Sequence, residues 1–207
     1  MNNDKYINTD KITIIEYLYK NQGLLKRMLL IYEELIRRLE NNIRIGNKII
    51  YYSANIINNF IENYLEKTKE KYIFPLLQKN NFEIKLLNEI KDQYKLKKQL
   101  TNTILKLSEN DIITDKNELI FYLQQYIKIT RYHMSREDTV VIPKFISLLD
   151  NESKLDYSCL FDEQQSKNLG ADGFNKYLNI IVSIEKYIKI HDLSIVRKEI
   201  NDKIYYK

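Results

Sequence analysis

Histidine is almost missing from this chain: His133 and His191 are the only two among 207 residues. A centre built on several imidazole donors is therefore excluded at the outset. Cysteine is scarcer still. With Cys159 alone, no intramolecular disulfide can close and no cysteine-based zinc or iron–sulfur site can be assembled. Two prolines and four glycines leave few points at which a helix must stop. No Gly-rich phosphate loop, nucleophile elbow or Cys-x-x-Cys pair is present, which removes the usual signatures of nucleotide binding, hydrolase chemistry and thiol redox. Ser135, His133 and Glu137 fall close together in sequence, but residues two apart on a helix point in different directions. No catalytic constellation emerges, and an enzyme is not expected.

Charge of one sign is not concentrated either. The 33 basic and 28 acidic residues give a net +5 and are interspersed, whereas a nucleic-acid binder gathers Lys and Arg on one face or in one run. No nucleic-acid partner is expected. The opening stretch "MNNDKYINTDKITIIEYLYK" carries acidic residues and no unbroken apolar run, unlike a signal peptide or a spanning helix. The expectation is a cytoplasmic protein without membrane contact. Seventeen tyrosines, among them Tyr51, Tyr52, Tyr205 and Tyr206 as candidates for exposure, leave an unknown protein partner open without placing it.

What is present is helical period. Apolar residues recur at Ile14, Leu18, Leu25, Met28, Ile31, Tyr32 and Leu35, the spacing of one helix stripe, with Thr9 or Asp10 as cap. After a turn at Gly46 and Asn47, a second helix is predicted from about Ile49 through Phe60, Tyr64 and Leu65 to a break at Pro75. A third, from about Phe82 to Leu107, shows Leu87, Ile90, Tyr94, Thr101 and Ile104 on one side. A fourth, capped by Asp115, runs from about Lys116 to Val141. Four such helices with short connections predict an all-α, antiparallel up-down-up-down four-helix bundle over about 10–149. The whole of 1–207 reads as a single domain. From about 150 to 207 the chain turns polar and then returns to helical period at "FNKYLNIIVSIEKYIKI", which predicts a C-terminal helical appendage.

The two prolines expose an internal repeat. Superposing them lays "FIENYLEKTKEKYIFP", 60–75, over "KITRYHMSREDTVVIP", 128–143. Tyr64 falls on Tyr132, Glu70 on Asp138, Leu65 on His133 and Lys69 on Glu137. Four residues apart, His133 and Glu137 share a helix face, where an imidazole nitrogen and a carboxylate oxygen can meet one ion. In the other copy leucine has no lone pair to give, and lysine is a cation.

These segments resemble the bacterial hemerythrin-like domains, the HHE cation-binding family, over nearly the whole chain. The resemblance implies a four-helix bundle around a non-heme di-iron centre, with a His on the first helix, His-x3-Glu on the second, His on the third and His-x3-Glu on the fourth. "KNQGLLKRMLLIYEELIRRL" places Gln22 at the first of these positions, "IENYLEKTKEKYIFPLL" places Leu65 and Lys69 at the second pair, and "LLNEIKDQYKLKKQLTNTI" places Tyr94 at the third helix's histidine. "YHMSREDTVVIPKF" is similar to the family's fourth-helix segment and keeps both ligand types, His133 and Glu137. "LGADGFNKYLNIIVSIEKYIKIHDL" is similar to its C-terminal ending.

Only His133 and Glu137 thus remain, as vestigial metal ligands, and Gln22, Leu65, Lys69 and Tyr94 are replaced positions. Divalent iron takes four to six donors, and one imidazole with one carboxylate competes poorly with water. Further donors would have to come from Gln22, Tyr94 or Glu66, beside the like charge of Lys69. Two arrangements of Lys69 are open: snorkelling out of the bundle, or turning inward to pair with Glu137 where the metal would be. The expectation is a degenerate hemerythrin-like protein with no cofactor, in a structural or interaction role. The resemblance alone implies instead a non-heme iron protein for oxygen, nitric oxide or redox sensing, storage or stress response.

Overall fold

The computed structural model describes residues 12–110 and 115–191, and the described residues are all-α, with no strand among them. Helix α1 spans Ile14–Glu40. Thr9 and Asp10 lie outside the described residues, and the cap is Thr13. Its hydroxyl accepts from the Glu16 N–H at 3.2 Å while the Glu16 carboxylate accepts from the Thr13 N–H at 2.9 Å. This reciprocal pair satisfies two N–H groups that the first helical turn leaves without partners.

The second long helical run corrects the expected break. It comprises α2 (Asn47–Ile56), the π-helical segments π1 (Ile57–Glu66) and π2 (Lys69–Ile73), and α3 (Phe74–Lys79), without leaving helical geometry. Pro75 sits in the first turn of α3, where a missing N–H is cheapest because that turn has orphan donors anyway. After α4 (Ile84–Ser108) comes α5 (Lys116–Arg136), capped as expected by Asp115, which accepts from the Glu118 N–H at 2.8 Å. It too runs on beyond the expected end, through π3 (Glu137–Val141) into α6 (Ile142–Ser147), with Pro143 again in a first turn. The sequence repeat is therefore repeated in the backbone. Lys69 and Glu137, which superpose, each open a five-residue π segment followed by a six-residue α segment with proline second. Such wide turns re-aim side chains and gather at functional sites.

The polar stretch after Leu149 is itself a helix, α7 (Asn151–Leu169), where no helix was expected. It buries only Ser158 and Phe161, too few to print a stripe on the sequence. Asp150 caps it, accepting from the Ser153 N–H at 2.7 Å, and Gly170, at φ +85°, ends it in a conformation that favours glycine. Helix α8 spans Gly173–Ile188. Both tail helices pack on α1. Phe161, wholly buried, meets Tyr17 edge-on at 5.3 Å, and Arg27 on α1 grips Glu185 on α8 at 2.7 Å.

The long helices close a circuit around a shared core: α1 touches α5 and α2–π1, and α4 touches α2–π1 and α5. Leu18, Leu25, Met28, Ile57, Leu87, Ile104 and Leu123 are among its buried members, with Tyr32 and Tyr126 crossing edge-to-face at 5.5 Å between α1 and α5. Each such side chain contributes roughly 1.5–3 kcal/mol through removal from water. Among the described residues no helix is long and apolar enough to cross a membrane.

Candidate functional site

Every one of these long helical segments sends a polar side chain into the middle of that core. Glu137, fully buried at the start of π3, is the hub. Its Oε2 accepts from Lys69 Nζ, at the start of π2, and from Gln22 Nε2 on α1 at 2.9 Å; its Oε1 accepts from the Tyr94 hydroxyl on α4. Lys69 therefore turns inward: only 3% of it is exposed. Burial opposes ionisation of Glu137, but the Lys69 ammonium and the hydrogen bonds from Lys69 and Tyr94 outweigh it and hold the carboxyl down at about 2. Burial first, and then the Glu137 charge, push the Tyr94 phenol well above its ordinary range, so it stays protonated and donates.

A second ion pair lies beside the first, and the sequence reading missed it. Lys97 on α4, with no exposed surface, donates to Glu66 Oε1 on π1. Its Nζ also lies 3.4 Å from His133 Nε2 and faces the rings of Tyr94 and Tyr126 at 5.4 and 5.5 Å. Because an ammonium has only protons to offer, His133 accepts through Nε2, and a neutral ring then carries its proton on Nδ1. Burial, reinforced by Lys97, lowers the His133 pKa well below its ordinary value, which keeps the ring neutral. One turn before Glu66, Glu62 Oε1 accepts from the Thr101 hydroxyl at 2.6 Å, and burial raises its carboxyl to about 7. Burial also raises Glu66, against the pull of Lys97.

The structure thus brings Gln22, Lys69 and Tyr94 onto Glu137 and places His133 against the Tyr94 ring, edge-on at 5.4 Å. Leu65 is plain core at 1% exposure. Lys97 had left a signal. The stripe Leu87, Ile90, Tyr94, Thr101, Ile104 skips one step in its alternation of three and four, and the skipped position is 97. A lysine at that step adds no apolar signal to the stripe.

Chemically, the charges of the network are paired within the chain, although Gln22 Oε1, Glu62 Oε2 and His133 Nδ1 have no hydrogen-bond partner among the described residues. Two ammonium groups each meet a carboxylate, and the oxygens of Glu137 are shared among three donors. A di-iron centre does not fit this donor set, since a metal would have to displace Lys69 from Glu137 and sit between two cations. Among the described residues, no three His, Cys, Asp or Glu side chains come together as ligands.

Comparison with known proteins gives relatives in mycobacteria. The chain is 31% identical over 186 residues to the uncharacterised proteins Mb2018 of Mycobacterium bovis and Rv1995 of Mycobacterium tuberculosis, covering 88% of this chain and 73% of each relative. No protein-family model matches the chain. No solved structure matches it.

Proposed function

The chain belongs to the same family as these mycobacterial proteins, and on that premise we propose that it is a degenerate hemerythrin-like protein in which buried lysines occupy the place of the di-iron centre. Its role is non-catalytic: a structural or interaction protein of the cytoplasm. The long helices form an antiparallel up-down-up-down bundle over about 10–149, with 150–207 as a helical tail. Supporting the opposed course of α1 and α5 are three cross-links, Lys26 to Asp138, Glu33 to Arg131 and Glu40 to Gln124, in which one number rises as the other falls.

The observation that carries the reading is the occupation of Glu137. The one carboxylate kept at a ligand position has both oxygens engaged by protein donors, one of them the lysine at the replaced glutamate position. Positive charge is supplied by the chain itself. A buried pair of this kind adds little net stability over an apolar pair of the same shape, yet losing one partner strands a charge at roughly 3–5 kcal/mol. The network therefore fixes which helix faces meet rather than catalysing a reaction.

Elemental analysis of protein purified from iron-supplemented cells tests this. Metal-free protein after dialysis, with no calorimetric binding of added ferrous ion, is the expected result. Stoichiometric iron that survives dialysis would overturn the reading in favour of an iron protein for oxygen, nitric oxide or redox responses.

A further inference from the structure

The outer side of the α1–α5 seam is a groove. One stretch of about 650 Å³ has Ile36 and Ile127 in its wall, and a second of about 370 Å³ adjoins it around Leu29 and Met134. Two large apolar side chains stand exposed on its margins, Leu30 at 47% and Tyr132 at 62%. The charges along it are ordered. Lys26 faces Asp138 at 3.0 Å, Glu33 faces Arg131, and Glu40 faces Gln124 at 3.4 Å. Successive levels are seven residues apart on each helix, two turns or about 10 Å, so the pattern extends for about 21 Å.

We infer that this groove is a self-association surface whose occupant is a second copy of the same chain. Charge complementarity under two-fold symmetry selects this occupant. A two-fold axis lying along the groove exchanges α1 with α5 between copies. Each residue then faces, across the interface, the kind of residue it already faces across its own groove. Lys26 meets the other copy's aspartate and Glu33 meets its arginine, so each of these two levels becomes a ring of four alternating charges, while Glu40 meets the neutral Gln124. At these two levels no like charge faces like, and Arg37, the cation nearest the other copy's Lys128, is already held by Glu34 at 2.7 Å. The same operation carries exposed Leu30 toward the level of Met134 on the other copy and brings Tyr132 over the apolar wall of its groove, so the exposed apolar surface is covered where a soluble surface would otherwise leave it wet. A partner of single charge sign would match one residue of each ion-paired level and clash with the other, which is why a second copy fits best.

This inference uses none of the core network, and it stands whether or not that core binds iron. Sedimentation velocity of the full chain across the micromolar range tests it, with circular dichroism confirming that each variant is folded. Wild-type protein is expected to dimerise, and raising the salt concentration to weaken the dimer. Glu33→Arg and Arg131→Glu, each at an exposed pair, are expected to weaken self-association roughly a hundredfold by setting like charges face to face. An equimolar mixture of the two variants is expected to dimerise again, because each reversed charge then meets its opposite on the other chain. Leu30→Lys provides an uncomplemented control that stays monomeric in any mixture. A monomeric wild type, a single variant as dimeric as the wild type, or a mixture that stays monomeric would each overturn the inference.

Discussion

Replacing Lys69 by methionine removes one charge from the centre of the core while keeping the volume of the side chain. Glu137 would then lie fully buried with only Tyr94 and Gln22 to stabilise its charge. Breaking a buried pair from one side costs roughly 3–5 kcal/mol. At about 2–4 °C per kcal/mol for a chain of this size, that is a fall of roughly 6–20 °C in Tm at pH 7. The pH dependence is the sharper readout. In the wild type the Glu137 carboxyl, held at about 2 against an ordinary 4.5, contributes stability that is fully present above 4.5 and is lost as pH falls toward 2. In Lys69→Met the hydrogen bonds from Tyr94 and Gln22 alone oppose burial, the largest influence on this carboxyl, so the folded-state value rises above 4.5 and the carboxyl prefers its proton. The deficit of the variant should therefore shrink on acidification from pH 7 toward 5, by at most about 1.4 kcal/mol per pH unit. Denaturant titration followed by helical ellipticity at several pH values measures both effects. A loss under about 1 kcal/mol at pH 7, or a deficit that does not narrow toward pH 5, would refute the reasoning. The double variant Lys69→Met with Glu137→Leu should recover most of the loss, since no charge is left stranded.

Three further outcomes follow from the same network. Lys97→Met should cost a comparable 3–5 kcal/mol in denaturant titration, because it strands Glu66. Glu62, with its carboxyl raised to about 7, favours the protonated folded state, so its contribution is present below pH 4.5 and lost as pH rises to 7; Glu62→Gln should flatten a stability slope of roughly 3 kcal/mol across that window. Tyr94→Phe removes a hydrogen bond to a charged group and should cost about 1.5–3 kcal/mol at pH 7, with the Glu137 carboxyl, followed by carbon NMR, moving upward.

Much of this was legible from periodicity. The stripes that placed α1, α4 and α5 are regular because each helix buries one face, and the Asp115 cap follows from a side-chain oxygen standing just before the first periodic residue. Pro75 misled as a break, since a π turn followed by a fresh α segment absorbs a missing N–H that an unbroken α-helix cannot, and the same device carries the fourth helix past Pro143. Helix α7 was hidden because it buries only Ser158 and Phe161 fully, while Tyr157, Leu160 and Leu169 are partly covered and set among polar residues. At the site, the proline register that laid Lys69 over Glu137 pointed to two residues that meet in space. Lys97 escaped because periodicity treats a lysine as solvated. Only its position, in step with Tyr94 and Thr101, says otherwise, and the carboxylate that makes its burial tolerable lies 31 residues away on another helix.

The central claim is that two lysine ammonium groups sit inside the core, at the place that the proposed hemerythrin-like ancestry gives to a metal centre. Nitrogen NMR of the lysine side chains tests it most directly, because a buried, hydrogen-bonded ammonium exchanges its protons slowly enough to be seen at neutral pH. Two such signals are predicted, one lost in Lys69→Met and the other in Lys97→Met, and neither altered by chelator or by added ferrous ion. Absence of both signals, or their appearance only after a metal has been stripped away, would contradict the account.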